Sequence, residues 1–358
     1  MERKIIFIAG PTASGKTKIA VETAKEFGGE VVSADSMQIY RGLTIGTAKP
    51  SAEEICGIPH HLLDFVDPRE SYSAAVYQKD ARRVIEEIFS RGKIPIVAGG
   101  TGLYFNAVIY DMSFNRTESD LKYREKLEKL YDERGGEFML EALKEYDAEA
   151  AKRLHKNDKK RIVRAIEVCE RTKNGAAGAI FESKNNAKTE CEGKNGESES
   201  INSECGGKNE KLKDGIAECE NVNAEKRSGE ADEFNSKKFY ENYIFIGLEP
   251  DRQKLYEKIN LRVDEMMKNG LLDEVRGLLN GGLTFDMQCM QSIGYKEFGV
   301  FFEGGAAEQE VVENIKQHTR NYAKRQMTWF RRYDDIKRFD SYAENAFFEI
   351  KNYIKSQM

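Results

Sequence analysis

The chain has no C-x-x-C pair among its six cysteines, no run apolar enough to cross a bilayer and no surplus of basic charge. Each absence narrows the possibilities. Cys56, Cys169, Cys191, Cys205, Cys219 and Cys289 are spaced too widely for a zinc ribbon or a dithiol redox pair, which leaves free thiols and a cytoplasmic setting as the expectation. The start, Met1-Glu2-Arg3-Lys4, leads into an apolar run too short for a signal peptide, so no membrane association is expected. The net charge of −5 would argue against a nucleic-acid partner if it were spread evenly. It is not: 174–238 holds ten Lys/Arg and fourteen Asp/Glu, which leaves only −1 for the rest of the chain. Local patches therefore decide the question of partners.

That acidic segment, 174–238, is dominated by Gly, Asn, Ser, Glu and Lys and repeats itself. Glu190-Cys191-Glu192-Gly193-Lys194-Asn195 recurs as Glu204-Cys205-Gly206-Gly207-Lys208-Asn209, and more weakly as Glu218-Cys219-Glu220-Asn221-Val222-Asn223, a period of fourteen residues. Each unit has too few apolar residues for a stacked solenoid core. With no histidine nearby, the three cysteines are a poor metal-ligand set. The segment is expected to be a duplicated, disordered surface insertion.

The richest signal stands near the other end. Gly10-Pro11-Thr12-Ala13-Ser14-Gly15-Lys16-Thr17 fits G-x-x-x-x-G-K-[ST], the phosphate-binding loop. It follows the apolar run Ile5–Ala9, a buried strand by its pattern, and precedes a helix start at Lys18–Ala24. In that setting backbone N–H groups curl around a phosphate and the helix terminus adds positive potential. Lys16 would reach outer phosphate oxygens, and Thr17 would hold Mg2+ through its hydroxyl.

Further strands are expected at Glu30–Ala34, Ile94–Ala98 and Tyr243–Leu248, with helices over Tyr72–Arg91, Arg252–Asn269 and about Glu308–Arg331, and Gly270 as a helix C-cap. Alternation of this kind predicts an α/β fold, a P-loop NTPase-like parallel sheet. Ser119–Thr172 shows only charged, helical periodicity, an inserted helical subdomain. The expected organisation is a first part of the catalytic core over 1–115, the helical subdomain over 116–173, the insertion over 174–238, and the core continued with C-terminal helices over 239–358. Parallel sheets bind ligands at the carboxyl ends of their strands. The loop at Gly10–Thr17, Asp35 and Thr101 all sit at such ends and should converge. Asp35 there suits a general base, a helix cap or an outer ligand of Mg2+ equally well.

The residues resemble one family, the tRNA dimethylallyltransferases, also called tRNA isopentenyltransferases. The matching stretches are Gly10–Thr17, Ser33–Leu43, Ile45–Pro50, Pro59–Asp64, Gly99–Tyr104, Arg161–Glu167, Gln291–Glu297 and Tyr322–Arg331. They cover the chain apart from the repeats. The resemblance implies a prenyl transferase that moves a dimethylallyl group from dimethylallyl diphosphate to the exocyclic N6 amine of an adenosine. That adenosine lies 3′-adjacent to the anticodon in tRNAs reading U-starting codons, and the products are N6-isopentenyladenosine and diphosphate. It also implies Mg2+, a P-loop that holds the diphosphate, and Asp35 as the base. Thr101 would bond the diphosphate or the adenine. Arg252 and Arg262 are candidates to add charge on the diphosphate. The tRNA would be met by Ser36, Met37 and Gln38 beside Asp35, by Lys160-Arg161-Ile162-Val163-Arg164, by Gln291-Ser292-Ile293-Gly294-Tyr295-Lys296, and by Lys324 and Arg325. The chain is expected to act as a monomer. The competing expectations are a P-loop small-molecule or nucleoside kinase, and a non-catalytic RNA-binding ATPase.

Overall fold

The computed structural model describes residues 3–112, 114, 121–172 and 237–358. The repeats therefore lie outside the described residues. The described chain resumes at Lys237, whose carbonyl accepts the Asp111 N–H at 2.8 Å. The chain divides into two units, Met1–Met112 with Ser236–Met358, and Ser113–Asn235.

In the larger unit six strands form one parallel sheet: β1 (Ile5–Ala9), β2 (Gly29–Ala34), β3 (His60–His61), β4 (Ile94–Gly99), β5 (Tyr243–Leu248) and β6 (Lys337–Phe339), in the order β3-β2-β4-β1-β5-β6. Every residue of β1 is buried, as an unbroken apolar run demands of a strand covered on both faces. Ile6, Ile8, Ile19, Val31, Ile96 and Ile246 pack one side with Ile350 and Ile354, and Phe7 meets Phe105 and Phe245 on the other. The edge strands β3 and β6 are too short and too polar for sequence periodicity to reveal; both are set by pairing with a formed neighbour, Val31 against His60 and Gly247 against Arg338.

The helices are α1 (Lys16–Phe27), α2 (Ala52–Ile55), α3 (Ala74–Ser90), α4 (Gly102–Ile109), α5 (Leu121–Tyr146), α6 (Ala148–Arg153), α7 (Lys159–Thr172), α8 (Arg252–Lys268), α9 (Leu271–Asn280), α10 (Phe298–Phe302), α11 (Glu308–Phe330) and α12 (Ala346–Gln357). The Ser73 hydroxyl caps α3 at the Val76 N–H, and the Asp251 carboxylate caps α8 at Lys254. Gly270 was expected to end α8. Asn269 caps that helix instead, and Gly270, at φ 91°, opens α9. A left-handed residue between two abutting helices ends one and starts the other, and only the next helix distinguishes the cases.

The smaller unit is described by α5, α6 and α7. Its core gathers Leu127, Met139, Leu143, Ile162 and Ile166. The Glu167 side chain is fully buried and pairs with Arg124 at 2.8 Å and Arg164 at 2.9 Å.

Candidate active site

The carboxyl ends of β1, β2 and β4 open into one cavity of about 750 Å³. Its floor is the loop after β1. Gly15 takes a left-handed conformation at φ 80° and starts α1, turning the backbone so that the helix N-terminus faces the cavity. Thr12 through Thr17 line it. The Ser14 hydroxyl is buried without a protein partner, and Lys16 Nζ donates to the Pro11 carbonyl at 2.6 Å. Gly10 and Pro11 lie behind this surface, beside Leu248 and Phe330.

Two cations converge here. Burial pulls the Lys16 ammonium down to about 8, against the nearby charge of Asp35 and helped by Arg262. Burial likewise lowers the Arg262 guanidinium, opposed by Glu54 and Asp35. Cations held desolvated in this way favour an incoming anion, which relieves the cost of their burial. Arg262 Nη2 points to the Ala48 carbonyl at 3.5 Å. Arg252, ten residues earlier on the same helix, is exposed, donates to the Tyr256 hydroxyl at 3.1 Å and is not among the lining residues. Helical pitch separates the two arginines, which sequence alone treated alike.

Asp35 stands at the end of β2. Its Oδ1 accepts the Met37 N–H at 2.9 Å and the Gln38 N–H at 3.3 Å, capping the turn, and Oδ2 takes no hydrogen bond from the described residues. One oxygen of the carboxylate is thus spent on the cap and the other is left free of it. Ser36, Met37 and Gln38 also line the cavity. Gln38 Nε2 donates to the carbonyls of Thr47 and Ala48, both at 3.1 Å. Thr101 Oγ1 accepts the Ser36 N–H at 3.1 Å, so this side chain ties the end of β4 to the turn after β2 and is not itself a lining residue.

Gln291, Ser292, Ile293, Gly294 and Lys296 form another wall, with Arg325 from α11. Tyr295 is fully buried and Lys324 is exposed away from the cavity. Lys160–Arg164 lies on α7 of the other unit. Ile162 and Val163 are core residues there, at 0% and 1% exposure, which corrects their assignment to tRNA contact; Lys160, Arg161 and Arg164 present the polar side chains of that helix. Arg161 pairs with Asp158 at 3.5 Å.

Sequence reasoning missed Tyr322 and Gln326, which face the cavity from α11. Burial and Asp35 push the Tyr322 hydroxyl up to about 12. Gln326 accepts the Thr12 N–H at 2.8 Å and donates to the Gly100 carbonyl at 2.9 Å, joining the loops after β1 and β4. The available signal was the i, i+4 spacing of the two residues, which puts both on one helix face.

Among the described residues no cluster of three His, Cys, Asp or Glu could cage a metal. Thr17 lines the cavity, and a lone hydroxyl suits Mg2+ only where substrate and water would complete its shell.

The sequence model described as IPP transferase matches residues 38–333. The chain belongs to this family. A tRNA dimethylallyltransferase of Thermoanaerobacter sp. (strain X514) is 42% identical over 340 residues, covering 95% of this chain and 92% of the relative. One of Bacillus cytotoxicus is 41% identical over 355 residues, covering 99% of this chain and 96% of its own. Among solved structures, a tRNA isopentenylpyrophosphate transferase from Bacillus halodurans superposes with a TM-score of 0.64 at 35% identity, covering 99% of this chain and 97% of that one. A eukaryotic dimethylallyltransferase acting on tRNA gives 0.70 at 25% identity, covering 99% and 80%. The α/β fold is thus the P-loop NTPase-like fold of these transferases, and the kinase and ATPase readings fall away. Among the described residues no helix is long and apolar enough to cross a membrane.

Proposed function

We infer that the cavity transfers a dimethylallyl group from dimethylallyl diphosphate to the N6 amine of the adenosine 3′-adjacent to the anticodon in tRNA. The observation that carries this reading is the cavity's polarity. Desolvated Lys16 and Arg262 lie beside the loop Gly10–Thr17, and Asp35 offers an unshared oxygen to the same space.

The diphosphate is held by the backbone N–H groups of Ala13 and Gly15–Thr17, the Ser14 hydroxyl, Lys16 and Arg262, while the N–H groups of Thr12 and Ser14 are spent on Gln326 and the Pro11 carbonyl. The Thr17 hydroxyl would hold Mg2+, which would supply charge neutralisation for the leaving group. The C1–O bond of the allylic diphosphate breaks as the N6–C1 bond forms. The proton lost from N6 passes to Asp35 Oδ2, and diphosphate leaves with the electron pair of the broken bond. An adenine in a tRNA loop is stacked and must be extruded to reach that oxygen. Met37, Gln38 and the wall Gln291–Gly294 surround the place where it would sit. Lys296, Arg325 and the polar side chains of α7 are suited to RNA phosphates. An acceptor tRNA supports a cytoplasmic enzyme.

The test is incubation with labelled dimethylallyl diphosphate, tRNA and Mg2+. Label enters wild-type-treated tRNA. Asp35→Ala abolishes transfer by roughly a hundredfold or more, the usual size of a lost general base, while tRNA still binds. Undiminished transfer by Asp35→Ala would remove the base from the mechanism.

A further inference from the structure

Glu274 lies on α9, outside the cavity lining, and has more hydrogen bonds to the cavity's walls than any role in α9 requires. Its Oε2 accepts the N–H groups of Thr44 at 3.0 Å and Ile45 at 2.8 Å, and its Oε1 accepts the Gly46 N–H at 3.1 Å. Three successive amides aimed at one carboxylate form an anion nest that the protein fills with its own side chain. Oε1 also accepts the Tyr295 hydroxyl at 2.6 Å. Burial, then the Glu274 charge, pushes that hydroxyl well above its ordinary range, so Tyr295 stays a proton donor.

The two segments that share this carboxylate pack directly on each other. A Cβ at Gly46 would lie 2.4 Å from the Tyr295 ring, so only glycine admits the contact. Beyond Gly46, the carbonyls of Thr47 and Ala48 hold the Gln38 amide. Beyond Tyr295, Ser292–Gly294 and Lys296 form the opposite wall.

We propose that Glu274 is a positioning residue for the RNA acceptor: by holding Thr44–Gly46 and Tyr295 on one carboxylate, it sets the spacing of the two walls that receive the adenine and fixes Gln38 beside Asp35. This rests on the placement of the adenine proposed above. Glu274 reaches the substrate only through Gln38 and the wall Ser292–Lys296. Glu274 has no hydrogen bond to the diphosphate loop, and its one link to the diphosphate cations is the long contact of Arg262 with the Ala48 carbonyl at 3.5 Å, so the RNA should feel its loss far more than the diphosphate.

The experiment measures steady-state prenyl transfer with an anticodon stem-loop RNA and dimethylallyl diphosphate, for Glu274→Ala, Glu274→Gln, Tyr295→Phe, Gln38→Ala and the Glu274→Ala/Gln38→Ala pair. Glu274→Ala raises KM for RNA on the order of tenfold, as loss of a charge-assisted hydrogen bond does, and leaves KM for dimethylallyl diphosphate within about twofold. Glu274→Gln, which keeps one acceptor oxygen, recovers part of the loss, and this conservative variant with Tyr295→Phe keeps the test open if Glu274→Ala fails to fold. The pair loses little more than Glu274→Ala alone, because one substitution loosens and the other removes the same Gln38 contact with the RNA. Equal rises in both KM values, a fully additive pair, or a lowered melting temperature with both KM values unchanged would each overturn the proposal. If Gln38→Ala leaves KM for RNA unchanged, the adenine placement itself fails; if Gln38→Ala raises it and the Glu274 variants do not, only the role of Glu274 fails.

Discussion

Gln326→Met isolates what the joint between two loops is worth. Gln326 is 5% exposed, and its amide is bonded at both ends: Oε1 to the Thr12 N–H at 2.8 Å, Nε2 to the Gly100 carbonyl at 2.9 Å. Methionine has nearly the same length and volume but neither donor nor strong acceptor, so it fills the space and orphans both backbone groups. An orphaned buried polar group costs about 1–3 kcal/mol. The Gly100 carbonyl is buried and belongs near the upper end; Thr12 is half-buried and belongs near the lower. Together they amount to about 4 kcal/mol, or a fall in Tm of about 8–16 °C for a unit of this size. Calorimetry or circular dichroism reads the shift. Gln326→Ala supplies a second arm. It removes the same bonds but leaves room for a water that can accept from Thr12 and donate to Gly100. The alanine variant should therefore melt above the methionine variant, the reverse of what loss of buried volume alone predicts. A melting temperature for Gln326→Met within about 2 °C of wild type, or a less stable alanine variant, would refute this reasoning. Because Thr12 belongs to the diphosphate loop, the methionine variant should also bind a non-reactive allylic diphosphate more weakly.

Three other outcomes follow from the charges. Lys16 has a folded-state value of about 8 against an ordinary 10.5, so the folded protein bears a desolvated cation below pH 8 and is relieved of it as pH rises towards 10.5. Only the charged form holds the anion, so without divalent metal the affinity for an allylic diphosphate should be level below pH 8. It should then fall about tenfold per unit above that; Lys16→Arg abolishes the inflection, and a level titration of wild type to pH 9.5 would contradict the assignment. In the smaller unit, burial raises the Glu167 carboxyl but Arg124 and Arg164 outweigh it and hold it below its ordinary 4.5. Its contribution is therefore complete above pH 4.5 and is lost as pH falls through the lowered folded value, which acid melts followed by hydrogen exchange of α5 and α7 would show. Glu167→Gln should cost about 3 kcal/mol, because two arginines lose a buried partner, and an unchanged urea midpoint would argue against it.

The strands β1, β2, β4 and β5 were legible because a strand covered on both faces is predominantly apolar, even where β2 carries Glu30 and Ser33, and the phosphate loop was legible because its backbone path needs glycine at fixed spacing. Asp35 could be singled out for the same local reason: it ends a readable strand. Arg262 and Arg252 could not be told apart, since which side of α8 faces the cavity depends on how that helix packs against α11. Ile162 and Val163 belong to the apolar stripe that the helical periodicity marks inside a basic run, and only the packed core of the smaller unit shows that both side chains are covered.

What sequence alone determined is local: a diphosphate loop, an acidic strand end, parallel strands, and motifs sufficient to mark the family. What the tertiary structure decided is everything that joins distant segments. Gln326 binding Thr12 and Gly100, and Glu274 binding Thr44–Gly46 and Tyr295, are contacts across more than two hundred residues for all but one partner. No local periodicity encodes such pairs, because a hydrogen bond depends on where two chain segments meet in space, and that is set by the packing of the whole sheet and its helices.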